Sequence, residues 1–272
     1  MTAILGVNCF SHDSAACLLV DGEIVAFGEE ERFNRDQHTN RFPTDAVSFC
    51  LDQAGMRASD LDVVAFAQQV PKDLARGAID AMARVAPKRL AAQAYIDARL
   101  LRKEWSFRRT WGYRGRILHV GHHQAHAASA FFASPFDRAA VLTLDRGGDF
   151  LSTTLASGEG SHVTTLAEVR NPHSLGEVYT ALTWFLGFRP NADEGKVMGL
   201  APYGTGRLAP EVRALLRLLD DGLFEVDLRW FRYQREGRPV SRRFTNRYGP
   251  PRVPESEITD RHRDLAYAVQ DL

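Results

Sequence analysis

The sequence predicts an α/β protein built on a repeated β-hairpin-strand unit. Two observations predict it: short apolar runs divided by turn signals occur twice in the same order, and apolar residues at helical spacing lie between and after them. The first unit is Ile4 to Val7, a polar loop from Asn8 to Ser14, Ala16 to Val20, the turn Asp21-Gly22, and Ile24 to Phe27. Asp-Gly between two apolar runs is a hairpin signal. The second unit is Ala140 to Leu144, the loop Asp145-Arg146-Gly147-Gly148-Asp149, Leu151 to Ala156, the turn Gly158-Glu159-Gly160, and Val163 to Val169.

Between the units the spacing predicts a helix over Thr44 to Ala54, stopped by Gly55, then a strand over Val63 to Ala67. A long helical stretch follows, roughly Lys72 to Trp111, rich in Ala, Leu and Arg. Its basic residues, Arg99 to Arg116, alternate with Trp105, Phe107, Trp111 and Tyr113. Overall neutrality favours a helix packed by its aromatic stems over an RNA-binding face. After the second unit, Ser174 with Glu177 reads as a capping box, and Leu175, Val178, Leu182, Phe185 and Leu186 recur at helical spacing as far as Gly187. From Arg229 the chain is basic and aromatic, then loop-rich to Pro254, with a last helix from about Thr259. That helical pattern meets no stop signal by Leu272, which predicts an incomplete fold whose site a missing segment or a separate chain completes.

At 272 residues, 44% of them hydrophobic, the chain is long enough to bury one large core or two modest ones. Its 34 basic and 34 acidic residues cancel, which excludes a general attraction to nucleic acid or to a membrane surface. Cys9, Cys17 and Cys50 form no CxxC pair and are odd in number, so a disulfide framework or zinc knuckle is not expected. The N-terminus lacks a signal-peptide pattern, and no segment reaches the ~20 apolar residues of a membrane span. The expected compartment is the reducing cytoplasm.

The sharpest chemical motif is Gly121-His122-His123-Gln124-Ala125-His126. On a helix His122 and His126 are four apart and share a face, which suits two imidazoles on one divalent metal, while His123 points elsewhere. Three histidines near a helix N-terminus are as often simple polar caps, so both readings stay open. Asp145, read at the end of an apolar strand, adds a carboxylate where α/β sheets bind ligands. Two histidines and one carboxylate form a set used by zinc hydrolases and by non-haem iron sites, and the residues do not choose between those metals. As a turn former before glycines, Asp145 also has an ordinary structural reading.

A second motif is the loop Ser11-His12-Asp13-Ser14, matched by the Asp145 to Asp149 loop. Paired loops of this kind can clamp nucleotide phosphates through backbone N–H groups, and no Walker A or dinucleotide fingerprint offers another route. A third is the charged run Glu29 to Arg35 together with Lys196, in which Arg32 and Lys196 are candidate cations for phosphate or carbamoyl oxygens. Solvated charge is the commoner meaning of such runs.

Four segments together resemble one family, the O-carbamoyltransferases of nodulation-factor and antibiotic tailoring. They are Gly6 to Ala16, Glu29-Glu30-Glu31-Arg32-Phe33, His122 to Ala130, and Asp193-Glu194-Gly195-Lys196-Val197-Met198-Gly199-Leu200-Ala201. The resemblance runs from Met1 to the stretch Arg261 to Ala266. It implies an actin/hexokinase-type, ribonuclease H-like fold in which His122, His126 and Asp145 hold iron, with zinc as the other choice, near ATP. It also implies that carbamoyl phosphate and ATP give carbamoyl adenylate in a C-terminal YrdC-type domain, outside residues 1–272. The actin-like domain then passes the carbamoyl group to a hydroxyl of a small-molecule acceptor.

On this reading His12, Asp13, His123 and Lys196 are the candidate catalytic residues, with His12 or His123 as base. Ser11, Ser14, Arg32, Gly147 and Gly148 are the candidate nucleotide-binding ones. Arg146 departs from the family, which more often has glycine there. The rival readings are a non-catalytic nucleotide- or metal-binding fragment and a metal-dependent hydrolase with no need for ATP.

Overall fold

The computed structural model describes residues 1–10, 13–67, 98, 102–220, 222–233 and 238–272. These fall in two compact units, divided in sequence between His126 and Ala127. Most of the long helical stretch expected over Lys72 to Trp111 lies outside the described residues, as do Ser11 and His12.

In the first unit β1 (Ala3–Asn8), β2 (Ala15–Val20) and β3 (Glu23–Glu29) form an antiparallel meander. Asp21 and Gly22 at its tight turn have φ of 51° and 89°, the paired positive values that match the right-handed twist of a hairpin. A short helix α1 (Glu31–Asn34) and helix α2 (Thr44–Gln53) follow, then β4 (Val63–Ala67), helix α3 (102–111) and β5 (Arg116–Val120). The sheet order is β3-β2-β1-β4-β5, with β1 antiparallel to β2 and parallel to β4, and β4 parallel to β5. A central first strand flanked by a hairpin on one side and parallel strands on the other is the ribonuclease H-like arrangement, as the resemblance implies.

Leu5, Leu18, Val47, Cys50, Val64, Phe66 and Phe107 fill the core of this unit. Phe107 meets Phe66 edge-on at 6.3 Å and Tyr113 at 5.5 Å, so α3 is held by its aromatic face. Lys103 lies over the Phe66 ring, Arg108 donates to the Tyr113 and Gly115 carbonyls, and Arg109 is 4.9 Å from the centre of the exposed Trp105 ring. Within the described part of the basic-aromatic run, Phe107 and Tyr113 are packed while Trp105 stays exposed. Strand β5 has no counterpart in the sequence reading, because Arg116 and His119 interrupt its apolar alternation.

The second unit holds β6 (Arg138–Gly148), β7 (Leu151–Glu159) and β8 (His162–Arg170), antiparallel in the order β6-β7-β8. Helix α4 (His122–Phe131) carries the division between the units. Its Ala127 and Phe131 pack with Val141 and Ala156. A Cβ on Gly158 would stand 2.6 Å from the Phe131 ring, so only glycine lets that ring lie flat on β7.

Two sequence expectations change here. Asp145 to Asp149 is no separate loop: β6 runs through Asp145 to Gly148 over a register shift, and only Asp149 and Phe150, both with positive φ, make the turn. Strand β7 likewise continues through Gly158 and Glu159, leaving the turn to Gly160 and Ser161.

Helix α5 (Leu175–Phe185) is capped by Ser174, whose Oγ accepts from the Glu177 N–H at 3.1 Å. It leads through α6 (Glu194–Leu200), α7 (Ala209–Arg213), the small antiparallel pair β9 (Leu216–Leu218) and β10 (Phe224–Val226), α8 (Arg242–Tyr248) and α9 (Asp260–Asp271). Helix α8 lies in the basic-aromatic stretch, and the expected loop follows it over Gly249 to Pro254. Ser241 starts the helix by accepting from the Phe244 N–H, and Phe244 drops fully into the core. That core is Val178, Leu182, Phe185, Phe244, Leu265 and Val269 with their neighbours. Among the described residues no helix is long and apolar enough to cross a membrane.

Candidate functional site

Helix α4 begins directly after β5, with the Ala125 N–H donating to the Gly121 carbonyl at 2.8 Å to close its first turn. The four-residue spacing then brings His122 Nε2 within 3.1 Å of His126 Nε2, with ring centres 4.6 Å apart. Two nitrogens bound to one metal at ~2.1 Å would stand about 3.0 to 3.4 Å apart for bond angles between octahedral and tetrahedral. The observed separation fits that range, and it also fits one N–H···N hydrogen bond between the two rings. His123 is buried, with its ring centre 5.5 Å from that of His122 and 6.3 Å from that of His126.

The first unit gathers a second group that sequence reading did not foresee. Asp13 Oδ1 lies 2.9 Å from His38 Nδ1, and a Glu31 carboxylate oxygen accepts from the His38 backbone N–H at 2.8 Å. One ligand atom from each of Asp13, Glu31 and His38 lies within 4.8 Å of the others. Phe10, Asp13, Arg35 and His38 all have φ between 51° and 69°, a conformation that costs non-glycine residues and gathers at functional loops. The loop around Ser14 is also tied to this segment: the Ser14 N–H donates to the Thr39 carbonyl and its own carbonyl accepts from Glu30. Nothing in local spacing links Asp13 to His38, since 25 residues separate them.

The charged run Glu29 to Arg32 divides by role. Glu30 is buried and its carboxylate accepts from the Asp45 and Ala46 N–H groups, satisfying the start of α2 in place of the preceding Pro43, which caps with no side chain. Arg32 is exposed and pairs with Glu29 at 3.2 Å and Glu31 at 3.5 Å.

In the second unit Asp145 and its neighbours rest on the start of α5. The Asp145 carboxylate accepts from the Arg146 N–H, while Ser174 Oγ lies 3.2 Å from the Asp145 carbonyl and 2.9 Å from that of Arg146. A Cβ on Gly176 would stand 2.7 Å from the Arg146 backbone, so glycine there is what admits the β6 backbone to the helix. Gly147 and Gly148 complete the irregular end of β6, and Gly147 faces the Asn171 side chain. The Arg146 guanidinium reaches Asn191 Oδ1 at 3.1 Å, in the turn before α6.

That turn is knitted by its own residues. Glu194 Oε1 accepts from the Asn191 N–H and from the Thr180 hydroxyl, and Lys196 sits 3.0 Å from Asp193. A hydrogen bond from the Arg189 N–H, aided by Lys196, holds the Asp193 carboxyl below the usual carboxylate range. Lys196 itself is largely exposed.

Comparison with known proteins supplies the frame for these residues. The family described as carbamoyltransferase N-terminus matches residues 3–272. An uncharacterized protein of Synechocystis is 38% identical over 99% of this chain and 46% of its own length. The nodulation protein NolNO of Sinorhizobium fredii is 35% identical over 97% of this chain and 37% of its own. The chain thus spans less than half the length of these two relatives. Component A of (R)-2-hydroxyglutaryl-CoA dehydratase from Acidaminococcus fermentans is 15% identical, with a TM-score of 0.42 over 77% of this chain and 62% of its own. With a family match covering all but its first two residues, the chain belongs to the carbamoyltransferase N-terminus family.

Proposed function

We propose that this chain carries part of the transfer machinery of an ATP-dependent O-carbamoyltransferase, with carbamoyl phosphate as donor, carbamoyl adenylate as intermediate and a hydroxylated small molecule as acceptor. The observation that supports it most directly is the His122–His126 nitrogen pair at 3.1 Å in a chain of this family. His122, His126 and Asp145 would hold a divalent metal, iron(II) or zinc, and the metal would supply Lewis-acid polarisation of the carbamoyl carbonyl. Metal-ligating imidazoles are usually oriented by neighbours, and buried His123 would steady that first turn of α4.

The chain's own residues would do the rest. His12 or His123 takes the acceptor's hydroxyl proton as the new O–C bond to the carbamoyl carbon forms and the bond to the adenylate oxygen breaks. Asp13 would orient that base, and Arg32 and Lys196 would meet the anionic leaving group. Ser11, Ser14, Gly147 and Gly148 would receive nucleotide phosphates through hydroxyls and backbone N–H groups. Arg146 adds a cation beside Gly147, held toward Asn191. The cytoplasm, with its ATP, is the compartment in which such a reaction runs.

The chain spans 46% and 37% of its two relatives, which favours a second reading in which it binds metal and nucleotide and a further segment completes turnover. Metal analysis after oxygen-free purification tests the common part of both. About one iron or zinc per chain is expected, with loss of most of it in the His122→Ala/His126→Ala double variant. Equal metal in both proteins would overturn the assignment. Hydrolysis of an ester by the metal-loaded chain without ATP would replace it with a metal-dependent hydrolase.

A further inference from the structure

Asp13, Glu31 and His38 form a group that the transfer chemistry does not use as a unit. They come from three segments: the loop between β1 and β2, the start of α1, and the loop between α1 and α2. Backbone bonds fix these segments to one another. The Ser14 N–H donates to the Thr39 carbonyl at 3.1 Å, the Glu30 N–H to the Ser14 carbonyl at 2.8 Å, and the Arg35 N–H to the Glu31 carbonyl at 3.0 Å. The side chains converge: Asp13 Oδ1 lies 2.9 Å from His38 Nδ1, and Glu31 Oε2 accepts from the His38 N–H at 2.8 Å. The Arg32 guanidinium, 3.5 Å from Glu31, offsets one of the two negative charges. A hydrogen bond alone accounts for the Asp13–His38 contact, but not for Ser14. That residue is fully buried beside Asp13, and its Oγ has no partner among the described residues. Buried hydroxyls are seldom left so, and an ion or its bound water at this place would supply the partner.

We propose that Asp13, Glu31 and His38 bind a divalent cation of the zinc or manganese class, at a site separate from His122, His126 and Asp145. Two carboxylates and an imidazole suit such an ion, whereas magnesium takes oxygen ligands and keeps its water. The 2.9 Å between Asp13 Oδ1 and His38 Nδ1 is close to the ~3.0 Å of two atoms held at a right angle on one ion. The ion takes the place of the proton between them, and that proton moves to His38 Nε2. The Asp13 and His38 side chains are 41% and 46% exposed, which leaves the ion a way in. The inference rests on this geometry and stands apart from the transfer chemistry.

Zinc titration by calorimetry tests it on the whole chain carrying His122→Ala/His126→Ala, so that failure at one site is not mistaken for failure at the other. After chelator treatment about one zinc per chain is expected, and adding His38→Ala should weaken binding about tenfold or more. Asp13→Asn in place of His38→Ala should do the same, and thermal melting without zinc should find both variants folded. His162→Ala, at an exposed histidine on β8, should leave binding unchanged. Equal binding in every variant, or none in the parent, would overturn the proposal, as would displacement of the zinc by magnesium at equal concentration.

Discussion

Strands β1 and β6 open the same local sequence, an apolar run followed by a loop and two antiparallel strands, yet they end in different surroundings. Leu5 of β1 is fully buried in the core of its unit with paired strands on both edges, while Leu142 of β6 is more than half exposed. Local pattern makes a strand; the number of elements laid against it decides what each side chain contributes. The difference is measurable as energy.

The widest gap should come from truncating the two leucines. Leu5→Ala should cost about 3 kcal/mol in urea unfolding, the transfer and cavity cost of a closed core, whereas Leu142→Ala should cost under about 0.5 kcal/mol. Equal costs would mean that β6 is covered in solution. Next is Gly176→Val, which forces a side chain into the Arg146 backbone and should cost about 2 kcal/mol while altering the β6 end. Wild-type stability there would show that α5 does not rest on Asp145 and Arg146.

Smaller effects compare the two helix caps. Ser174→Ala in the second unit and Glu30→Gln in the first should each cost about 1 kcal/mol, read by thermal melting. Only Ser174→Ala should disturb the amide signals of Asp145 and Arg146, because only Ser174 touches them.

Acidification should separate the units further. In the second unit burial, with Arg261, Arg252 and Arg263 nearby, pushes the His262 imidazole below its ordinary value. Burial draws the Asp264 carboxyl upward, but hydrogen bonds from Thr205 and the Arg207 guanidinium outweigh it and hold the group below the usual range. A depressed folded value means stability that is whole above the unfolded value and declines as pH falls through the folded one. The second unit should therefore weaken first below about pH 6.5, the imidazole's unfolded value, and again below about pH 4. Near-constant urea midpoints of the second unit from pH 7 to 5 would contradict the His262 part, and His262→Gln should flatten that first decline.

Much of this was legible because its cause is local. Asp21-Gly22 needs only its own backbone to turn a hairpin, Ser174 reaches a helix N–H three residues on, and His122 and His126 meet because a helix turn is shorter than four residues. Other features were hidden because partners lie far apart in sequence. Glu30 read as solvated charge and is a buried cap for residues 45 and 46. Helix α6 forms despite Gly195 and Gly199, since buried Val197 anchors it to a core shared with α9. The apparent loop at Asp145 is strand because β7 continues to pair beyond it, a fact about β7 that Asp145 and its glycines do not encode.

By itself the sequence determined the repeated hairpin unit, the helix that pairs His122 with His126 and the family to which the chain belongs, all consequences of spacing over a few residues or of motif order. Tertiary structure alone decided that β1 is central while β6 is an edge, that Asp13 meets His38, and that Ser174 and Gly176 cradle the Asp145 backbone. Those outcomes depend on burial and hydrogen bonding between segments tens of residues apart, where the free energy of contact, not the preference of any short stretch, selects the arrangement.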